Sequence, residues 1–235
     1  MADDRTASAN IALLIDADNA SPASLDPVLT VLAELGTVNI RRAYGNWSKS
    51  SLSGWSALMH QYAIEPHQQF DVTKGKNATD MKMTIDAMDL LFGKRVDGFG
   101  IMSSDSDFAP LVMRIRQDGL PIYGFGTAVT PVSFKQACTR FIDVSALDSK
   151  SDAEPPARTQ IDQDLINLFA DAIAASKRDE KGFASLSEVG NRAGNRSSFD
   201  ARSYGYSRLS ELIDAIPNFQ TERREGGAMF VRRVR

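Results

Sequence analysis

Ile101-Met-Ser-Ser-Asp-Ser-Asp-Phe108 decides the fold. The apolar run 98–102 stops at two hydroxyl residues, and Asp105 and Asp107 follow at once. Over 108–117 the apolar residues fall at helical spacing, so the stretch reads as a buried strand that opens onto a helix N-terminus. In open α/β sheets ligands sit at that edge. The start of the chain repeats the pattern, with Ile11-Ala-Leu-Leu-Ile15 running into Asp16-Ala-Asp-Asn19. Two strands that carry acids to one sheet edge predict a divalent-cation site.

Working outward, the pattern predicts further strands over 38–44, 64–70, 121–125 and 141–144. Helices are predicted from Ser21-Pro22 to a stop at Gly36, and over 52–62, 80–92, 108–117 and 132–137. Ser21 followed by Pro22 is a start signal, a cap residue before a proline at the first helical position. The helix over 80–92 carries Met81, Ile85, Met88, Leu91 and Phe92 on one side. Strands alternating with helices imply an α/β fold with a mostly parallel sheet covered on both faces. Residues 1–9 read as a disordered lead-in, Lys74-Gly-Lys-Asn-Ala78 as a polar loop, and 148–158, with two adjacent prolines, as a linker. Beyond it come helices over 165–173, 184–193 and 206–216, the last capped by Ser207, and a hairpin over 219–231 turning at Gly226-Gly227. Three helices and a terminal ribbon form the layout of a winged helix.

The bulk numbers narrow the function. Of 235 residues, 43% are hydrophobic and 24% charged, as in ordinary globular chains. No apolar run approaches the roughly 18 residues of a membrane span, and the N-terminus has no apolar signal core. The single cysteine, Cys138, excludes an intramolecular disulfide or a cysteine-rich zinc site and reads as a core thiol. These features suggest a reduced, cytoplasmic setting. His60 and His67 are too few for a histidine metal site and have no evident partner in the sequence. The net charge is −3, yet it is unevenly spread. Residues 1–157 hold 14 Lys and Arg against 19 Asp and Glu, and residues 158–235 hold 13 against 11. An acidic first part and a slightly basic second part suit a catalytic module joined to a nucleic-acid-binding one.

Four segments bring acids to strand ends or helix starts: Asp16 with Asp18, Asp80, Asp86 with Asp89, and Asp105 with Asp107. Magnesium takes oxygen ligands and is held by a few carboxylates plus substrate phosphate. Clustered Asp without His or Cys matches that preference better than zinc or copper. Taken singly, Asp16, Asp105 and Asp107 also suit helix caps. Asp18 reads as an acid facing water, and Asp86 and Asp89 as a solvated helix face.

Ile15-Asp-Ala-Asp-Asn19, Lys76-Asn-Ala-Thr-Asp80 with Met-Lys-Met-Thr-Ile-Asp86 following, and Ser103-Ser-Asp-Ser-Asp-Phe108 closely resemble the three signature segments of the NYN domain, a branch of the PIN-like nuclease superfamily. The resemblance covers about 10–146. It implies a PIN-like three-layer α/β/α sandwich and a metal-dependent ribonuclease site. Asp16, Asp80, Asp105 and Asp107 would be the catalytic and metal-binding carboxylates for Mg²⁺ or Mn²⁺, with Asn19, Ser103 and Asp86 supporting. Ser104 and Thr79 stand where the family more often has glycine and an apolar residue, and neither change removes a carboxylate. Cations beside an acid cluster can hold the phosphates that the acids repel. Lys74, Lys76, Lys82 and Arg42 are therefore candidate RNA contacts, and Trp47 is a candidate for base stacking. Each also has a plain reading, as a solvated cation or a core aromatic.

Residues 199–219, with Gly182-Phe-Ala-Ser-Leu-Ser-Glu-Val-Gly190 upstream, resemble the LOTUS or OST-HTH domain over about 161–234. That resemblance implies a winged-helix unit that binds RNA or docks a protein. Arg202 and Arg208 near its helices, and Arg223 and Arg224 on its hairpin, are the candidate phosphate contacts. The whole chain thus reads as a metal-dependent ribonuclease whose C-terminal domain recruits RNA, with room for a protein partner or a homo-oligomer and no membrane. A non-catalytic RNA-binding adapter is the first rival. A phosphatase of the haloacid dehalogenase type is the second, since Asp16-x-Asp18 imitates its nucleophile pair.

Overall fold

The computed structural model describes residues 8–70, 78–147 and 160–234. Most of the lead-in, the Lys74 and Lys76 loop and the 148–158 linker lie outside the described residues. The chain divides into two compact units, 1–138 and 139–235.

Strands β1 (Asn10–Asp16), β2 (Thr37–Gly45), β3 (Glu65–Gln68), β4 (Gly98–Met102), β5 (Ile122–Gly126) and β6 (Arg140–Asp143) form one six-stranded sheet in the order β3-β2-β1-β4-β5-β6. From β3 to β5, each strand runs parallel to its neighbours. Helices α1 (Leu25–Ala33), α2 (Ser56–Gln61), α3 (Ala78–Phe92), α4 (Ala109–Gln117) and α5 (Val132–Ala137) connect and flank the strands. This is the mostly parallel α/β class that the alternating pattern implied. Strands β1 and β4 are apolar and buried along nearly their whole length, as expected of central strands covered on both faces. From β1 the chain winds outward through β2 and β3, then crosses back to β4 and winds the other way. The order therefore reverses between β1 and β4, where doubly wound sheets open a crevice at the strand C-termini. Register brings Ile15 opposite Met102, so Asp16 and Ser103 emerge side by side.

Several local readings need correction. The Ser21 side chain makes no capping bond; Pro22 opens a short 3₁₀ turn, Pro22–Ser24, and the α-helix begins at Leu25. The segment before α2 is also 3₁₀, over Ser50–Trp55. In α3 the core face is Met83, Ala87, Leu90 and Leu91 together with Asp86. Met81, Ile85 and Phe92 face outward at 66%, 54% and 65% exposure. The apolar spacing misleads because the buried stripe contains a carboxylate, which sequence reads as a solvent face.

In the second unit, helices α6 (Gln163–Ala175), α7 (Leu186–Arg196) and α8 (Leu209–Asp214) pack with strands β7 (Ala184–Ser185), β8 (Phe219–Arg223) and β9 (Met229–Arg233). The strands form an antiparallel sheet ordered β7-β9-β8. Phe169, Ile173, Val189, Leu212, Ile213 and Val231 build its core, and Phe169 meets Phe199 and Phe219 edge-on. The β8–β9 turn does use Gly226 and Gly227, at φ 84° and 83°, where a side chain would be strained. Residues 184 and 185 are strand rather than helix. Ser207 does not cap α8 through its side chain. Instead Glu211 Oε2 accepts from the backbone N–H groups of Ser207 and Arg208, at 3.0 and 3.2 Å.

Candidate metal centre

Asp16 ends β1 with no solvent exposure. Its Oδ2 accepts from Asn19 Nδ2 at 2.9 Å and from Ser103 Oγ at 2.8 Å. Its Oδ1 is buried and has no hydrogen-bond partner. A buried acceptor without a donor costs about 1–3 kcal/mol, so this oxygen marks a place where something positive is wanted. Burial raises the Asp16 carboxyl above its ordinary range; hydrogen bonds from Asn19 and Ser103 oppose that rise, and the charge of Asp18 adds to it.

Asp80 lies in the first turn of α3, where the helix dipole favours a negative charge. Burial, then repulsion from Asp16, Asp105, Asp107 and Asp18, nonetheless pushes its carboxyl up to about 6. The four acids that the motifs singled out therefore share one electrostatic neighbourhood. Asp105 caps the 3₁₀ turn before α4, its Oδ1 accepting from Asp107 N at 2.8 Å, while its own N–H donates to Ser103 Oγ at 3.1 Å. The capping reading thus holds for Asp105. Asp107 is exposed. Asp18 is not simply solvated: Lys49 Nζ stands 3.2 Å from its Oδ1.

The residues fit a hard divalent cation. Every donor is an oxygen, Asp16 Oδ1 lacks a partner, and burial and acidic neighbours push the Asp80 carboxyl up to about 6, a strain that a cation would relieve. Among the described residues, no three His, Cys, Asp or Glu side chains already surround a common point at ligand distance.

The rim of the crevice is clasped by hydroxyls that the motifs do not bring to notice. Thr130 Oγ1 donates to Ser104 Oγ at 2.9 Å, and Ser104 Oγ accepts from Thr127 N at 3.2 Å. Gly126 makes that approach possible, because a Cβ there would lie 2.5 Å from Thr130 Oγ1 and 2.9 Å from Ser103 O.

A second charged cluster sits between β2, β3 and α3. Asp86 is buried, and its carboxylate receives Lys82 Nζ at 2.7 Å and Tyr44 Oη at 3.1 Å. His67 Nδ1 and Arg42 Nη1 stand 3.3 and 3.6 Å from it. Burial alone raises the Asp86 carboxyl, but the hydrogen bonds from Lys82 and Tyr44 and the charges of Lys82 and His67 hold it below its ordinary value. Asp86 is therefore not a solvated face, and His67 has partners after all. Arg42 Nε also binds Glu65 Oε2 at 3.1 Å, so Arg42 and Lys82 are committed within the protein. Tyr44 is a core aromatic. Trp47 is partly buried and donates its indole N–H to His67 O at 3.1 Å. Cys138 is a buried free thiol, pushed up to about 12 by burial.

The basic residues singled out in the second unit are unequal. Arg202 lies on Asp200, at 3.2 and 3.1 Å to its two oxygens. Arg224 pairs with Asp179 and Glu222. Arg208 and Arg223 are exposed.

The fold is thus a doubly wound sheet with acids at its switch point, followed in the chain by a small helical unit with a β-ribbon. The chain belongs to the NYN domain family, whose model matches residues 10–148, and continues into an OST-HTH/LOTUS domain matched over 159–231. An uncharacterised protein of Methanocaldococcus jannaschii is 27% identical over 139 residues, 52% of each chain. The chain thus spans about half the length of that curated relative. A protein of unknown function from Vibrio parahaemolyticus is 20% identical with a TM-score of 0.48, covering 61% of this chain and 96% of that one. A carbohydrate transporter from Acidothermus cellulolyticus, in complex with myo-inositol, is 10% identical with a TM-score of 0.32, covering 81% and 52%. Neither likeness bears on function. No described helix is long and apolar enough to cross a membrane.

Proposed function

We propose that the protein is a ribonuclease dependent on Mg²⁺ or Mn²⁺, with working boundaries at 10–146 for the nuclease domain and 161–235 for the RNA-recruiting domain. The observation that carries this reading is Asp16 Oδ1, a buried carboxylate oxygen without a donor at the switch point of the sheet. Asp16, Asp80, Asp105 and Asp107 would hold the ion. When bound, it lowers the pKa of a water and neutralises charge on the phosphodiester. The chain's own contribution is orientation. Asn19 and Ser103 fix one oxygen of Asp16 and leave the other without a partner. The Asp107 N–H holds one oxygen of Asp105 at 2.8 Å and so orients its carboxylate. The acids repel the substrate's phosphates, so cations such as Lys74 and Lys76, a few residues before Asp80 in the chain, would seat them. A cytoplasmic location accompanies the proposal.

The test is a cleavage time course on single-stranded and duplex RNA, with Mn²⁺ or EDTA, comparing wild type with Asp105→Asn. Cleavage that needs the ion and is lost in the variant supports the reading; ion-independent cleavage, or an unaffected variant, overturns it.

A second reading, a non-catalytic RNA-binding adapter, draws on the described acids not yet closing on a common ligand point. It predicts RNA binding without cleavage. The phosphatase reading has no such support.

A further inference from the structure

Two neighbouring pockets of the second unit share Lys181 but differ in the rest of their charges. Asp179, Glu180, Lys181, Glu222 and Arg224 line a pocket of about 350 Å³, where the charge of Arg224 is cancelled by two carboxylates. A neighbouring pocket of about 400 Å³ is different. Ile173 and Val234 give it an apolar part, and Arg178, Lys181, Arg232 and Arg233 give it four cations. Among the described residues its lining includes no carboxylate.

Arg232 is the fixed point of this pocket. Its guanidinium lies 4.7 Å from the centre of the buried Phe183 ring. Its Nε and Nη2 donate to Gln220 Oε1 at 3.0 and 2.8 Å, and its Nη1 donates to Lys181 O at 3.3 Å. All these partners are uncharged, so they orient the group without neutralising it. A guanidinium has more N–H donors than these bonds use. Of the two acids between Arg178 and Lys181 in the chain, Asp179 is turned to the other pocket by Arg224 and by the N–H groups of Lys181 and Phe183, and Glu180 lines that pocket as well.

We propose that this pocket binds the phosphodiester backbone of single-stranded RNA, with Arg232 as its pre-oriented donor. The proposal rests on the RNA-recruiting reading of the C-terminal domain and names a surface distinct from Arg202 and Arg224, whose charges are already paired. Arg178, Lys181 and Arg232 alone exceed the roughly −1.5 to −2 charge of a lone phosphate group and suit successive phosphodiesters. An ordered guanidinium over an aromatic ring loses little entropy when it takes a phosphate oxygen.

The experiment uses the full chain in EDTA and measures anisotropy of a labelled single-stranded RNA across a salt series. Arg232→Gln should weaken binding about tenfold and flatten the salt dependence by about 0.7 for each phosphate no longer neutralised. Arg178→Gln with Lys181→Gln, both exposed and tolerant of substitution, should do the same. Arg114→Gln, which removes one charge from the first unit, should change affinity less than about twofold, because that charge is already paired with Asp118. Wild-type affinity and slope in both pocket variants would overturn the proposal. Binding that requires a 5′-phosphate, or that millimolar inorganic phosphate abolishes, would replace it with a terminal-phosphate site. A wild type that binds and depends on Arg232 but never cleaves RNA would keep this inference and defeat the ribonuclease reading. Wild-type protein that binds no RNA would defeat both the inference and the recruiting role.

Discussion

Ser103 Oγ donates to Asp16 Oδ2 at 2.8 Å, and this bond joins the C-terminal ends of β1 and β4 where the sheet reverses its winding. It does so inside the protein, with both residues almost fully buried. Asp16 is thereby held in one orientation before anything binds.

Ser103→Ala removes that donor without changing the backbone. It should lower stability by about 1–3 kcal/mol, since Asp16 Oδ2 keeps only Asn19. It should also weaken Mn²⁺ binding by about 10–100-fold, as loss of a group that orients a metal ligand does. Urea unfolding and Mn²⁺ titration read the two effects separately.

The Asp80 carboxyl, pushed up to about 6, gives a pH dependence of definite sign. Between its ordinary 3.8 and about 6 the folded protein holds a proton that the unfolded chain has released. Without divalent ions this group's contribution to stability is therefore largest below pH 4 and falls as pH rises through 6. Mn²⁺ competes with that proton, so its affinity should climb across the same interval. Thermal melts at a series of pH values, with and without Mn²⁺, check both statements. Asp86 has the opposite sign: its lowered carboxyl contributes stability above the ordinary range that is lost on acidification.

Asp86 also predicts a contrast between variants. Asp86→Ala leaves Lys82, Arg42 and Tyr44 without their shared acceptor and should cost about 3 kcal/mol or more. Tyr44→Phe removes one donor among several and should cost about 1 kcal/mol. Urea unfolding of the two variants measures the difference, and equal losses would mean that the cluster is not organised around Asp86.

Gly126→Ala forces a methyl group to within 2.5 Å of Thr130 Oγ1. It should destabilise by about 1–3 kcal/mol and loosen the Ser104 clasp, visible as faster amide exchange at Thr127.

The sheet was readable in the sequence because its central strands are near-continuous apolar runs, 11–15 and 98–102, each ending in acids at a clean boundary. Asp16, Asp80, Asp105 and Asp107 were singled out by acids at strand ends together with the family resemblance; in the structure the charges of the other three act on Asp80, while among the described residues no three acids surround a common point. Three features were not readable. The inward face of α3 was hidden because Asp86 is buried among donors from β2, β3 and its own helix, and such long-range partners leave no periodic trace. His67 looked isolated for the same reason. In the second unit, Arg202, Arg224 and Arg232 look alike in sequence; only the fold decides that two face carboxylates and one faces amide and carbonyl oxygens.

The most direct test of the central claim is Mn²⁺ binding to the full chain by electron paramagnetic resonance, comparing wild type with Asp16→Asn at pH 7.5. Binding by the wild type, weakened at least about tenfold in a variant that stays folded, is what the shared-cation account predicts. Equal binding by both proteins, or none by the wild type, would contradict it.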